Sequence, residues 1–310
     1  MELKVGRPLG YVPAPVSLLS AVLFGIVQAA TEFLPVSSTA HLLVFGELLG
    51  QNLGDVRFRA FVTIIQTGTT VAVLVYFRRE IGALVHAGIR SILRGRPLET
   101  PDSRLAWFIV LGTLPAAILG KLLERRIEAL GNWVIAGSLI VLGLVLLAAE
   151  RLARHARSVE DVGAADALII GFGQALALVP GSSRSGTTIT AGMLLGLRRE
   201  AAARFSFLLS VPIILGAGTY KLWKTVPVLR GESAWALATI VGTVVSAVAG
   251  YVVIDWLLGW LRTRTTYLFV AWRILAGVVV AALIVGGVLP AGEPAPPAPA
   301  PATARAVRAP

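Results

Sequence analysis

The sequence predicts an all-α integral membrane protein, an inverted repeat of two halves, each a re-entrant helical hairpin plus three transmembrane helices. Three observations carry that reading. Of 310 residues, 56% are hydrophobic and only 15% charged, with a mean hydropathy of +0.79. Several apolar runs reach the roughly 20 residues that cross a bilayer as helix. Two further runs are interrupted by short polar stretches rich in Ser and Pro, and features of the first half recur in the same order in the second.

The charge balance and cysteine content exclude other classes. A net charge of +11 fits arginine-rich loops facing anionic lipid. No aromatic and basic residues are interleaved as nucleic-acid binding requires, so no nucleic-acid partner is expected. The absence of cysteine removes disulfides, thiolate catalysis and thiolate-bound metal.

Residues 1–15, with Lys4 and Arg7, read as an N-terminal tail. The first repeat half spans 16–157. Its opening run, Val16 to Ala30, could pass for a signal-peptide core. It is read instead as a hairpin arm, because cleavage would detach a segment that the second half repeats. The arms 16–33 and 38–50 are short for separate crossings and suit a re-entrant pair. Full spans follow at about 58–78, 105–123 and 132–150. The second half, 158–289, repeats the plan with arms 165–179 and 184–197 and spans at about 204–223, 235–260 and 267–289.

The internal match aligns Gly25, Gln28, Pro35 and Ser37-Ser38 with Gly171, Gln174, Pro180 and Ser182-Ser183, with one residue of slippage. It also aligns Gly112 and Gly120 with Gly242 and Gly250. Three crossings per half is odd, so the second half sits upside down relative to the first and the two breaks meet near the midplane. Arginines between Arg78 and Arg104, read as a loop, and at Arg151, Arg154 and Arg157 place that side in the cytoplasm. The first hairpin then enters from outside and the second from inside. Residues 290–310 form a disordered Pro/Ala-rich tail.

Chemistry concentrates in the breaks. Non-helical backbone at membrane depth survives where protein buries it or where it lines a wet cavity. In the second break, Pro180-Gly181-Ser182-Ser183-Arg184-Ser185-Gly186-Thr187-Thr188, Pro and Gly stop one helix and a serine caps the next. Backbone N–H groups and Arg184 then converge as in an anion site. A helix-packing patch would explain the small residues but not the arginine. In the first break, Gln28 and Glu32 share a helix face four residues apart, where two oxygens can ligate a hard divalent cation. Ser37 and His41 have the same spacing. Glu32 could instead pair with an arginine and hold the hairpins together. His86 and His155 read as solvated loop histidines. An anion cradle, a cation-binding carboxylate and a base or nucleophile together point to phosphoryl transfer.

Gln28-x-x-x-Glu32 followed by Phe33-Leu34-Pro35-Val36-Ser37-Ser38-Thr39-x-His41, with Pro180-Gly-Ser-Ser183-Arg184-Ser-Gly-x-Thr188, closely resembles the two signatures of the undecaprenyl-diphosphate phosphatases of the bacitracin-resistance type. The resemblance runs from about residue 16 to 288. It implies a multi-pass enzyme of the bacterial plasma (inner) membrane. That enzyme removes the terminal phosphate of undecaprenyl diphosphate, recycling the carrier lipid for peptidoglycan and other envelope polymers, at a site facing the periplasm.

By the same resemblance Glu32, Ser38, His41 and Arg184 are catalytic. Ser183, Arg184 and Thr188 fall on the family's pyrophosphate-binding motif, and Gln28 and Glu32 hold a divalent cation, Mg²⁺ or Ca²⁺; Ser37, Thr39, Gly181, Ser182 and Ser185 of the two breaks are further candidates for binding substrate. Gln28 stands where the family often has Glu, which leaves acid–base duty to Glu32 and His41. The nucleophile is open between His41, Ser38 with His41 as base, and water activated by Glu32 or His41. The implied partners are the lipid substrate and the bilayer, with a homodimer left open. The competing class is a transporter or flippase of an anionic polyprenyl phosphate lipid, since broken helices in inverted repeats suit both.

Overall fold

The computed structural model describes residues 15–128, 130–229 and 231–292. Most of both expected tails, and Arg230, lie outside them. Twelve α-helices run along the described residues: α1 Leu18–Phe33, α2 Ser38–Leu48, α3 Val56–Tyr76, α4 Arg78–Leu93, α5 Pro101–Glu128, α6 Asn132–Leu152, α7 Ala164–Leu176, α8 Arg184–Leu194, α9 Arg199–Ile213, α10 Thr219–Thr225, α11 Ser233–Thr263 and α12 Tyr267–Val285. Among the described residues the only β-type pairing is one bridge between Arg157 and Leu197. Among the described residues six helical segments are long and apolar enough to cross a membrane, the fourth running through α9 and α10 as Arg199–Leu229, while α1 and α7 are shorter apolar helices.

Local chemistry sets the ends. Ser17 caps α1 through Ser20 N–H at 3.1 Å, and Asp55 caps α3 through Arg57 N–H at 2.7 Å. Helix α1 stops at Phe33 because Leu34, which precedes Pro35, is extended at φ −66°, ψ 144°. Pro212 lies in the last turn of α9, and the chain passes into a π-helical turn, Ile214–Gly218, before α10. The stretch read as the Arg78–Arg104 loop is instead largely helix α4. Its arginines hid an amphipathic period in which Leu84 and Ser91 turn inward, and Trp107 of α5 donates to Ser91 Oγ at 3.0 Å. Ahead of α7, Arg157 bonds Asp166 (2.5 and 3.1 Å) and the Leu195 carbonyl (2.9 Å). The Asp166 carboxylate raises this guanidinium further above its already high range.

Helix pairings repeat between the halves. Helix α1 lies along α11 as α7 lies along α5, α2 touches α12 as α8 touches α6, and α6 packs along α12. Small residues allow the closest approaches. A Cβ on Gly25 would come within 2.6 Å of the Gly242 carbonyl oxygen, and one on Gly171 would overlap the Gly112 carbonyl. These are the glycines aligned in the sequence, with partners exchanged.

The core beneath the first break joins Phe33 edge-on to Phe207 at 5.5 Å. A second core gathers Phe45, Phe58 and Phe61 around Phe24 at 5.1 to 5.5 Å. Exposed apolar residues such as Leu144, Val248 and Leu275 lie on the spans, the surface a hydrocarbon environment requires.

Candidate active site

The two breaks meet around a cavity of about 340 Å³ into which both contribute polar side chains. Each break ends in a serine with positive φ immediately before the next helix: Ser37 at φ 75°, ψ 104° and Ser183 at φ 66°, ψ 113°. The shared and uncommon conformation fixes the register of the repeat. Ser183 stands as far beyond Gln174 as Ser37 stands beyond Gln28. The slippage expected from pairing Pro35 with Pro180 is therefore absent, and Pro35 corresponds to Gly181. That glycine has φ 86°, and a Cβ there would press on Ser138 Oγ and on the Ile135 carbonyl of α6.

Glu32, at the end of α1, is the hub. Its Oε1 accepts from Arg184 Nη2 at 3.0 Å, and its Oε2 accepts from Ser38 Oγ at 2.9 Å and Gln28 Nε2 at 3.2 Å. The Glu32 and Arg184 side chains are 8% and 15% exposed, so this ion pair joins the hairpins in a mostly water-excluded place. Ser183 Oγ accepts from Gly186 N–H at 3.2 Å and caps α8, which holds Arg184 at the first position of that helix.

Of the residues expected at the site, Glu32, Ser37, Ser38, Thr39, Gly181, Ser183 and Arg184 line the cavity. Gln28 stands behind Glu32 and gives its amide N–H to that carboxylate. Ser185, Ser182 and Thr188 lie off the cavity wall. Ser185 Oγ donates to the Leu34 carbonyl of the first break at 3.0 Å, and Ser182 is 1% exposed. Thr188, fully buried one turn further along α8, meets Ser206 of α9 at 2.6 Å.

His41 faces elsewhere. Its Nδ1 lies 2.7 Å from the Ser37 carbonyl oxygen, and its Nε2 accepts from Trp272 Nε1 at 2.7 Å. Because indole N–H only donates, Nδ1 carries the imidazole proton and donates to Ser37. The ring lines a neighbouring apolar groove with Val44, Leu48, Trp272, Leu275 and Val279.

Sequence reasoning missed Arg273. It sits inside α12 at 1% exposure and donates to carbonyls of both breaks: Pro35 at 3.2 Å, Gly181 at 3.4 Å and Ser182 at 3.0 Å. It also reaches Ser138 and Leu139 of α6. One arginine inside an otherwise apolar span was the available signal. Also missed was a polar row on α3, Thr63, Gln66, Thr67 and Thr70, together with Lys221 of α10, all lining the cavity. Their spacing is the i, i+3, i+4, i+7 stripe of one helix face.

Among the described residues no three His, Cys, Asp or Glu side chains gather as a metal cluster. One carboxylate flanked by hydroxyls is a donor set that suits a hard cation taking its remaining ligands from elsewhere.

Fold and site together define a class: a multi-pass helical membrane protein whose two broken helices bring an arginine, a carboxylate and a serine to one cavity. A family model described as bacitracin resistance protein BacA matches residues 21–279, and the chain belongs to that family. It is 80% identical over 290 residues to an undecaprenyl-diphosphatase of Anaeromyxobacter sp. (strain Fw109-5), covering 94% of this chain and 95% of the relative. It is 48% identical over 275 residues to one from Myxococcus xanthus, covering 88% and 91%. One from Chlorobium limicola is 44% identical, covering 89% and 99%.

Proposed function

We propose that this cavity is where the terminal phosphate of undecaprenyl diphosphate is hydrolysed, yielding undecaprenyl phosphate for renewed use in envelope synthesis. The observation that carries the reading is the Glu32 carboxylate, which holds Ser38 of one break and Arg184 of the other. Arg184 has five N–H donors. It can hold Glu32 through one nitrogen and turn others to phosphate oxygens.

The arriving diphosphate draws Arg184 towards itself and frees Glu32 to act as base. Ser38 passes its proton to Glu32 as Oγ bonds to the terminal phosphorus and the bridging P–O bond breaks; undecaprenyl phosphate leaves. Water then adds to that phosphorus, the Oγ–P bond breaks, and the proton on Glu32 returns to Ser38 as dihydrogen phosphate departs. His41 works at one remove, holding the Ser37 carbonyl and so the turn that aims Ser38. Mg²⁺ or Ca²⁺ held by Glu32 and substrate phosphates would neutralise charge on the phosphoryl group.

The halves are read as inverted, with the cavity reached from the periplasmic side of the inner membrane. Two features support this. Three membrane-capable spans fall in each half, an odd number that would turn the second half over relative to the first, and Thr63 and Lys221 belong to the halves of their spans away from the arginine-rich segments.

The test is phosphate release from farnesyl or undecaprenyl diphosphate by purified protein in detergent, with and without EDTA. Release that stops on chelation is expected. No release by folded wild type in Mg²⁺ or Ca²⁺ would overturn the hydrolase and favour lipid transport. Release that persists in EDTA would remove the cation from Glu32.

A further inference from the structure

Gln174 is the repeat counterpart of Gln28, in the last turn of α7 and six residues before Pro180 opens the second break. The two glutamines are employed differently. Gln28 donates to Glu32 four residues on, whereas the residue four beyond Gln174 is Leu178. Gln174 is 3% exposed and lines the cavity with Glu32 and Arg184. Neither its Oε1 nor its Nε2 has a hydrogen-bond partner among the described residues.

Native interiors leave few such groups. A buried amide without partners destabilises the fold, and an apolar side chain of the same shape would be neutral or better. A polar side chain at such a position, on the wall of a cavity that an arginine also lines, is matched to something that arrives there.

We propose that Gln174 is a further substrate-binding residue, its Nε2 donating to a diphosphate oxygen and its Oε1 accepting from water carried with the headgroup. The inference rests on the cavity being the diphosphate site. It makes the second hairpin contribute a neutral donor to the cavity as well as the charged Arg184. Cavity and repeat thus explain one another: the same helical position serves the carboxylate in one half and the ligand in the other.

Steady-state kinetics on farnesyl diphosphate and thermal unfolding in detergent test this with Gln174→Met and Gln174→Glu. A lost hydrogen bond to a charged group corresponds to roughly 10- to 100-fold in affinity. Q174M is expected to raise KM by about that factor, with unfolding temperature at or above wild type. Q174E is expected to raise KM at least as much, because its carboxylate repels the diphosphate. An unchanged KM in Q174M, or a marked loss of thermal stability in that variant, would overturn the assignment and make Gln174 a packing residue.

Inorganic pyrophosphate separates this from the hydrolase reading. It is expected to raise the unfolding temperature of wild type but not of Q174M. That pattern in a wild type that releases no phosphate would sink the hydrolysis while sustaining the binding role. Equal stabilisation of both proteins would overturn the binding role.

Discussion

Glu32→Gln is expected to lower kcat for prenyl diphosphate hydrolysis by about 10³-fold, within the range for removing a general base, in protein that still elutes as a folded species. The substitution preserves size and leaves an oxygen that can accept from Ser38. It removes the charge that takes the Ser38 proton, and it leaves Arg184, 15% exposed, without its ionic partner. Breaking a buried pair from one side destabilises by about 3 to 5 kcal/mol, so the unfolding temperature should also fall. Glu32→Asp should retain the charge but not reach Ser38 and Arg184 together, giving an intermediate loss. Phosphate release by E32Q within tenfold of wild type would remove Glu32 from the chemistry and leave it the role of hairpin clasp.

The second large effect is expected at Arg273. Its guanidinium spreads over carbonyl oxygens of Pro35, Gly181 and Ser182, the segments that lack a complete helical bonding pattern. Gly186 packs so closely that a Cβ there would lie 2.7 Å from Arg273 Nη1. Arg273→Met fills similar volume but leaves those carbonyls unmatched where water is scarce, at about 1 to 3 kcal/mol each. Relief of the buried charge offsets part of this, and a net loss of about 3 kcal/mol is expected. Loosened tips would misplace Ser38 against Arg184, and a shift of about 1 Å is enough for a 10²-fold loss of rate. Thermal unfolding and kcat/KM measured together check this. Wild-type stability and rate in R273M would show that the breaks hold their shape without the clamp.

How far the sequence revealed this architecture varied with the physics of each part. The spans were legible because a bilayer demands long apolar runs, and each expected span falls on a helix within a few residues except at 199–229, where Pro212 and a π turn extend and interrupt it. The breaks were legible because Pro, Gly and Ser in apolar surroundings have few uses. Helix α4 was not, since arginines dominate its composition and its inward face is narrow.

Within the site, proximity along the chain suggested that Gln28, Glu32, Ser38 and His41 act at one point. Helix geometry divides them: Ser38 faces the cavity, and His41, nearly a turn later, faces α12. Arg273 and the α3 row were missed because their partners are backbone oxygens and a cavity wall, which no local pattern reveals.

The most direct test of a single site built from both breaks is a double-mutant cycle in phosphate release with Glu32→Gln, Arg184→Ala and the pair combined. Each single variant is expected to lose about 10³-fold in kcat/KM, and the double variant to be within about tenfold of the weaker single, because residues acting as one unit are not additive. Losses that multiply, or near wild-type activity in either single variant, would contradict a shared site at Glu32 and Arg184.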